Sequence, residues 1–157
     1  MSKSKSLKRV RTALENAGLS PDIRETRLAR TAADAAQAVG CELDQIVKSI
    51  VFRGTESGAA ILFLTAGGNR VDAAKAAAVA GEPLGKADAA LVRAQTGFAI
   101  GGVAPVGHLN PIRAFADPRL SAFGEVWAAA GTPHHVFAIA PDRLVALASA
   151  EPADFTA

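Results

Sequence analysis

The chain has 157 residues, half of them apolar, and a formal net charge of +2. That length supports one domain with a substantial core, expected to span residues 1–157. No apolar run is long enough to cross a bilayer and the N-terminus lacks the apolar stretch of a signal peptide, so no membrane association and a cytoplasmic location are expected.

Thirty-six alanines and few aromatics imply closely packed elements whose cavities are shaped by backbone approach. The lone Cys41 excludes an internal disulfide, and without a companion at ligand spacing it does not point to zinc. Five of the 17 basic residues, Lys3, Lys5, Lys8, Arg9 and Arg11, fall in the first eleven positions, leaving 12 basic against 15 acidic residues, net −3, in the remainder. A general nucleic-acid coat is therefore excluded, while the basic N-terminus is either a solvated terminus or a patch that meets phosphates.

In chain order, Leu7, Val10, Leu14 and Ala17 form a helical stripe over Ser6–Ala17 that stops at Gly18. Pro21 opens a short extended piece, Asp22–Thr26. Thr31 with Asp34 three residues on predicts an N-cap for a helix over Ala32–Val39 that ends at Gly40. Ile46–Arg53 and Ala59–Thr65 are apolar, β-branched runs joined by Gly54-Thr55-Glu56-Ser57-Gly58, a hairpin of central strands. Asp72 caps Ala73–Ala80, and Asp88 precedes a helix over Ala89–Gln95 that stops at Thr96-Gly97. Phe98–His108 carries three glycines and a proline, so it is expected as a shaped loop with a short strand at either end. Ile112–Ala116 is a strand, Asp117-Pro118 a turn, Glu125–Ala130 and Val136–Ala140 a late pair of strands, and Pro141-Asp142 opens a last helix through Ala148.

Lys48 sits inside an apolar strand, where desolvating an ammonium costs several kcal/mol unless something anionic compensates. It either snorkels or pairs with Glu42 or Asp44, or it contacts a phosphate in a pocket. The glycine loop favours the pocket. Gly101 and Gly102 let a ligand approach main-chain amides, and such preorganised donors can stabilise an oxyanion. Pro105 and Pro111 stiffen the loop.

Three other patterns carry no chemistry. Gly81-Glu82-Pro83-Leu84-Gly85-Lys86 is one residue short of a P-loop and is followed by Ala87 where a magnesium-binding hydroxyl belongs. His134 and His135, adjacent on a strand, would point to opposite faces, and His108 is remote from them, so no metal site is expected. No Gly-x-Ser-x-Gly elbow occurs.

Taken together, Thr31-Ala32-x-x-Ala35-Ala36, Ile46–Phe52 around Lys48, Asn69-Arg70-Val71-Asp72, and above all Thr96-Gly97-Phe98-x-x-Gly101-Gly102-x-x-Pro105-x-Gly107-His108 resemble the YbaK/ProX family of aminoacyl-tRNA deacylases. The likeness spans residues 28–148. It implies an α/β single domain with a mixed, curved, barrel-like sheet flanked by helices, and a pocket between Lys48 and the Gly101-Gly102 loop. Relatives hydrolyse the ester joining a wrong amino acid to the terminal adenosine of a tRNA, without a convincing side-chain base, using loop amides and the neighbouring ribose hydroxyl.

Carried over by position, Lys48 would hold the terminal phosphate or ribose, and the Gly101 and Gly102 amides would bind the carbonyl or water. Ser49, Thr65, Ile100, Val103, Ala104, Pro105, His108 and Gly131 would contact substrate, Pro105 and His108 by shaping the loop. Ser49 stands where many relatives carry asparagine, and His134-His135-Val136-Phe137 where some carry an acidic residue, differences that bear on amino-acid specificity.

The expected function is a free-standing trans-editing deacylase acting on tRNA for proline that carries a small wrong amino acid: alanine, cysteine, 2-aminobutyrate, serine or threonine. No metal or organic cofactor is expected. The expected partners are the aminoacyl-tRNA 3′ end and prolyl-tRNA synthetase, with the chain a monomer or a homodimer. Two alternatives stand beside it: a non-catalytic module that binds a tRNA end or acyl-adenosine, and a paralogue acting on another acylated small molecule.

Overall fold

Three short polar side chains start three of the helices. Thr31, Asp72 and Asp88 each accept a hydrogen bond from the amide three residues on, and so satisfy a donor that the first turn leaves open. The helices they cap are α2 (Ala32–Val39), α3 (Ala73–Ala80) and α4 (Ala89–Thr96), and each ends at a glycine in the left-handed region, Gly40, Gly81 or Gly97. The computed structural model describes residues 2–26 and 29–157, with the side chains of residues 2–4 also left out. Leu28, where the likeness was expected to begin, and the side chain of Lys3 therefore lie outside the described residues.

Before these helices come α1 (Ser2–Asn16) and β1 (Asp22–Glu25). The other strands are β2 (Ile46–Gly54), β3 (Ala60–Ala66), β4 (Leu84–Lys86), β5 (Arg113–Ala116), β6 (Val126–Ala129), β7 (His135–Ile139) and β8 (Ala150–Pro152), with α5 (Pro141–Ala148) preceding the last. They form one mixed eight-stranded sheet in the order β1-β7-β6-β2-β3-β5-β8, with β4 on β2. The fold is a single-domain α/β structure, as the sequence predicts. The loop is the exception. Its expected terminal strands do not form: residues 98–112 are turns, bends and irregular chain, and pairing resumes only at Arg113.

Alternation along β3 explains why both faces of the sheet are covered. Leu62 and Leu64 enter the main core, with Val10 and Leu14 of α1, Val92 of α4, Leu144 of α5 and the loop residues Phe98, Val103 and Ala104. Ile61 and Phe63 point the other way, where Phe63 packs against Phe52, Phe115 and Phe155 with ring centroids 5.0–5.7 Å apart. A third cluster joins Ala35 and Ala36 of α2 to Ile46, Trp127 and Val136. Among the described residues, no helix is long and apolar enough to cross a membrane.

One irregularity positions the site. On the edge of β2 away from β3, β6 runs parallel to Ile46 and Val47 while β4 runs antiparallel to Phe52–Gly54. Between them no described strand pairs with Lys48–Val51 on that edge. The Gly54 amide donates to Ala59 O at 2.9 Å, which sets the phase of the β2–β3 ladder. Even-numbered residues of β2 thus bond to β3, and the main-chain groups of Ser49 and Val51 face the fork.

Candidate functional site

A cavity of about 380 Å³ opens beside this fork. Its walls come from the segment before α2 (Thr26, Arg30, Thr31), the start of β2 (Ile46–Ser49), the glycine loop (Gly101, Val103), and β6 with the turn into β7 (Trp127, Thr132–His135). Lys48 and Gly101, separated by a third of the chain in sequence, line the same cavity.

Lys48 is half-buried, and its ammonium donates to the main-chain oxygen of Asn69 at 2.5 Å. Asn69 is in turn held by its own amide group, which donates to Asp117 at 2.8 Å. Asp117 is buried, and the same carboxylate oxygen accepts from the amide of Ala66 while the other accepts from that of Arg119. The expected alternative of an ion pair with Glu42 or Asp44 does not form, because Asp44 is taken by Arg119 at 2.9 Å and by the amide of Gly68. That pairing with Arg119 holds the Asp44 carboxyl below its ordinary range. Burial, with the nearby Arg70 charge adding to it, lowers the Lys48 pKa, against a smaller opposing pull from Asp117 and Asp44. No carboxylate within salt-bridge distance neutralises Lys48 among the described residues, so an anionic ligand would find its charge available.

Beside it the Ser49 hydroxyl is buried and has no hydrogen-bond partner among the described residues.

The loop is built differently from the sequence expectation. Gly102 N–H donates to Ala99 O at 3.0 Å, closing a turn, so this amide is already used and is not a free oxyanion donor. Gly101, at φ 90°, turns the chain, and its N–H and that of Val103 have no acceptor among the described residues. Gly102 is required for space: a Cβ there would lie 2.9 Å from the backbone of Thr132.

Of the other expected contact residues, Ser49 and Val103 line the cavity and the rest do not. Thr65 pairs with Lys48 across the ladder but is fully buried, its hydroxyl donating to Phe63 O. Ile100 is 55% exposed at the loop tip, and Ala104 is core. Gly131 packs on Ser6 of α1. Pro105 and His108 line a separate hollow. There the His108 Nε2–H donates to Ala104 O at 2.6 Å, and burial lowers the ring's pKa, so His108 is a neutral brace for the loop.

The sequence reading missed the opposite wall. His134 precedes β7 and only His135 lies on it, so the assumption that they diverge on one strand fails and both line the cavity. His135 Nδ1 is 2.7 Å from the Thr132 hydroxyl, and its Nε2 is 3.9 Å from Glu25. The signal was the His-His pair itself, which the sequence offers as a rejected metal pair and as a point of amino-acid specificity, not as a cavity wall. No group of three or more metal-ligating side chains gathers among the described residues.

An open α/β sheet with a forked central strand, a half-buried lysine at the fork and a glycine loop that lines the same cavity make up the candidate site. The chain belongs to the aminoacyl-tRNA editing domain family, whose model matches residues 26–147. It is 32% identical over 140 residues, 88% of each chain, to the uncharacterized protein YwhH of Bacillus subtilis (strain 168). Among solved structures it is similar to "Crystal structure of a putative trans-editing enzyme for prolyl tRNA synthetase", with 49% identity, 97% of each chain covered and a TM-score of 0.90. It is also similar to hypothetical protein APE2540, with 26% identity, 95% of this chain and 99% of that one covered, and a TM-score of 0.85.

Proposed function

We propose that the protein is a trans-editing aminoacyl-tRNA deacylase that hydrolyses the ester of a mischarged tRNA, with tRNA for proline carrying a small wrong amino acid as the substrate. The observation that carries this reading is the one cavity lined by both Lys48, its charge not taken up by a carboxylate among the described residues, and the Gly101 turn. Family membership and the relative described as a trans-editing enzyme for prolyl tRNA synthetase support it. Relatives of similar length support action as a free-standing protein, and the description of one of them supports the synthetase as a partner.

In this reading Lys48 grips the terminal phosphate or ribose, and the open amides of Gly101 and Val103 receive the oxyanion, in place of the Gly102 amide. Attack by water converts the ester into free amino acid and a free ribose hydroxyl. The vicinal hydroxyl of the terminal adenosine assists the proton transfer. A second reading has a specific basis in Thr132, His135 and Glu25: His135 would be the base that activates water.

Deacylation of a panel of mischarged tRNAs by the purified protein tests the function, and binding without turnover would leave only a tRNA-end module. A mischarged tRNA whose terminal adenosine lacks the vicinal hydroxyl decides between the two mechanisms. Binding without cleavage supports substrate assistance. Normal cleavage of that substrate, with loss of activity in folded His135→Gln, supports the histidine.

A further inference from the structure

The basic N-terminus lies outside the family match and outside the cavity, yet it is not a loose tail. Residues 2–16 form α1, whose Val10 and Leu14 are fully buried and whose Arg9 is fixed to Gly107 O at 2.7 Å. Lys5 and Lys8 are exposed and recur with Thr12 and Asn16 on one strip of the helix, where they line an open groove against Gly107 and His108. Neither lysine, nor Arg11 beside them, pairs with a carboxylate among the described residues. The helix opens next to the active cavity: Ser6 O lies where a Cβ on Gly131 would meet it, at 2.9 Å, and Gly131 leads directly into the cavity-lining Thr132.

We infer that α1 is a docking rail for the sugar–phosphate backbone of the tRNA whose 3′ end enters the cavity, with Lys5 and Lys8 contacting phosphates. The partner's identity rests on the function proposed above. The charge distribution argues for a polyanion at this face, because five basic residues fall in the first eleven positions while the remainder of the chain has an acidic excess of three. The strip adds neutral donors, Thr12 and Asn16, beyond the lysines, which suits phosphate oxygens over a length of about 17 Å, a few nucleotide steps. A rigid helix also gives the rail a fixed angle to the cavity, so a bound acceptor end would be delivered to it.

The test measures binding of uncharged tRNA by fluorescence anisotropy over a salt series, which needs no turnover. Lys5→Glu/Lys8→Glu should weaken binding at least about tenfold and reduce the slope of log K against log salt by about 1.4–1.8, the share of two phosphate contacts. Arg53→Glu/Lys86→Glu, with the same change in net charge on exposed residues of β2 and β4, should change affinity less than about twofold. Lys5→Ala/Lys8→Ala, folded by its circular dichroism melt, should shift affinity in the same direction by less, and it carries the test if the charge reversal unfolds the helix.

Equal losses in the α1 and control pairs, or an unchanged salt slope, overturn the rail. So does tRNA binding that ignores α1 while an acidic protein such as a synthetase depends on it. Wild-type protein that hydrolyses mischarged tRNA while the α1 variants bind normally refutes the rail and leaves the function standing. Wild-type protein that binds tRNA through α1 but cleaves no ester refutes the function and leaves the rail standing.

Discussion

Arg9 reaches from α1 to the main-chain oxygen of Gly107, its Nε donating at 2.7 Å, and lays its guanidinium 4.4 Å above the Phe98 ring. One side chain thus ties the N-terminal helix to both ends of the glycine loop. Partial burial lowers its pKa, although an arginine remains charged throughout the working range. Replacement of Arg9 by alanine should destabilise the fold by about 2 kcal/mol, a charged hydrogen bond plus a ring contact, and should lower kcat by loosening the loop. Arg9→Lys should not restore it, because an ammonium cannot donate sideways to Gly107 while lying flat on Phe98. Thermal melts that show full rescue by lysine would reduce the contact to simple charge.

Lys48→Ala should keep the fold and cut deacylation at least about tenfold, equivalent to roughly 1.4 kcal/mol of lost transition-state stabilisation. The pH dependence has a definite sign. Because the Lys48 pKa lies below the ordinary 10.5, its grip on an anion should be lost as pH rises through that lowered value, earlier than for a surface lysine. The same shift means that shedding the proton relieves the fold, so affinity should fall in this window without a loss of stability traceable to Lys48. Calorimetric titration with a non-hydrolysable aminoacyl-adenosine carrying a 5′-phosphate should show the fall, and Lys48→Arg should abolish it. An alkaline profile identical in wild type and Lys48→Arg would assign the effect to another group.

Gly102→Val should be the most damaging loop change, since even the first added carbon meets the Thr132 backbone at 2.9 Å. Gly101 has open space around it and only its φ to defend, so Gly101→Ala should cost about 1–2 kcal/mol of local strain and a smaller part of the activity. His108→Ala removes a brace, and should lower stability by about 1–3 kcal/mol through the orphaned Ala104 carbonyl while retaining substantial turnover. Complete loss of turnover in a folded His108→Ala protein, with Gly102→Val active, would reverse this order.

Asp117→Asn should act at a distance. Whichever way it turns, the new NH2 would face a donor, the Arg119 N–H on one side or Ala66 N–H and the Asn69 side chain on the other, so about 1–3 kcal/mol of stability should be lost. Asn69 would then hold Lys48 less firmly, and KM should rise with little change in how the pH profile falls. Wild-type KM in the asparagine variant would show that Asp117 serves only the fold.

Chelators should leave the rate unchanged, and restoration by zinc after loss in EDTA would refute a metal-free mechanism. Cys41→Ser should be neutral, because burial, then the charges of Glu125 and Glu42, raises the thiol pKa and withholds the reactive thiolate. A folded but inactive serine variant would bring the thiol back into the chemistry.

The helices were legible because their signals are local: Thr31, Asp72 and Asp88 each speak to an amide three residues away, and a glycine follows each helix. β4 and β8 were not, since three residues leave no period to read and their pairing partners are distant in sequence. Lys48 and the glycine loop stood out as residue types in unusual settings. Which loop amide is open was hidden, because Gly102 is committed by its turn to Ala99 and no residue type announces that bond. Asp117 and the Thr132–His135 wall were equally silent, being assembled only when β5, β6 and β7 take their places in the sheet.

The fork in β2 leaves a rung missing from the middle of a sheet instead of its rim. An open strand edge normally invites another chain to add itself, and proteins blunt such edges with charge or short length. Here the exposed stretch is only Lys48–Val51, walled at one end by β6 and at the other by β4, with a charged residue at its first position. A foreign strand cannot be seated there without colliding with one of those neighbours, whereas a small acyl group with one donor and one acceptor can. The notch therefore keeps main-chain hydrogen-bonding capacity available to a ligand while denying it to aggregation.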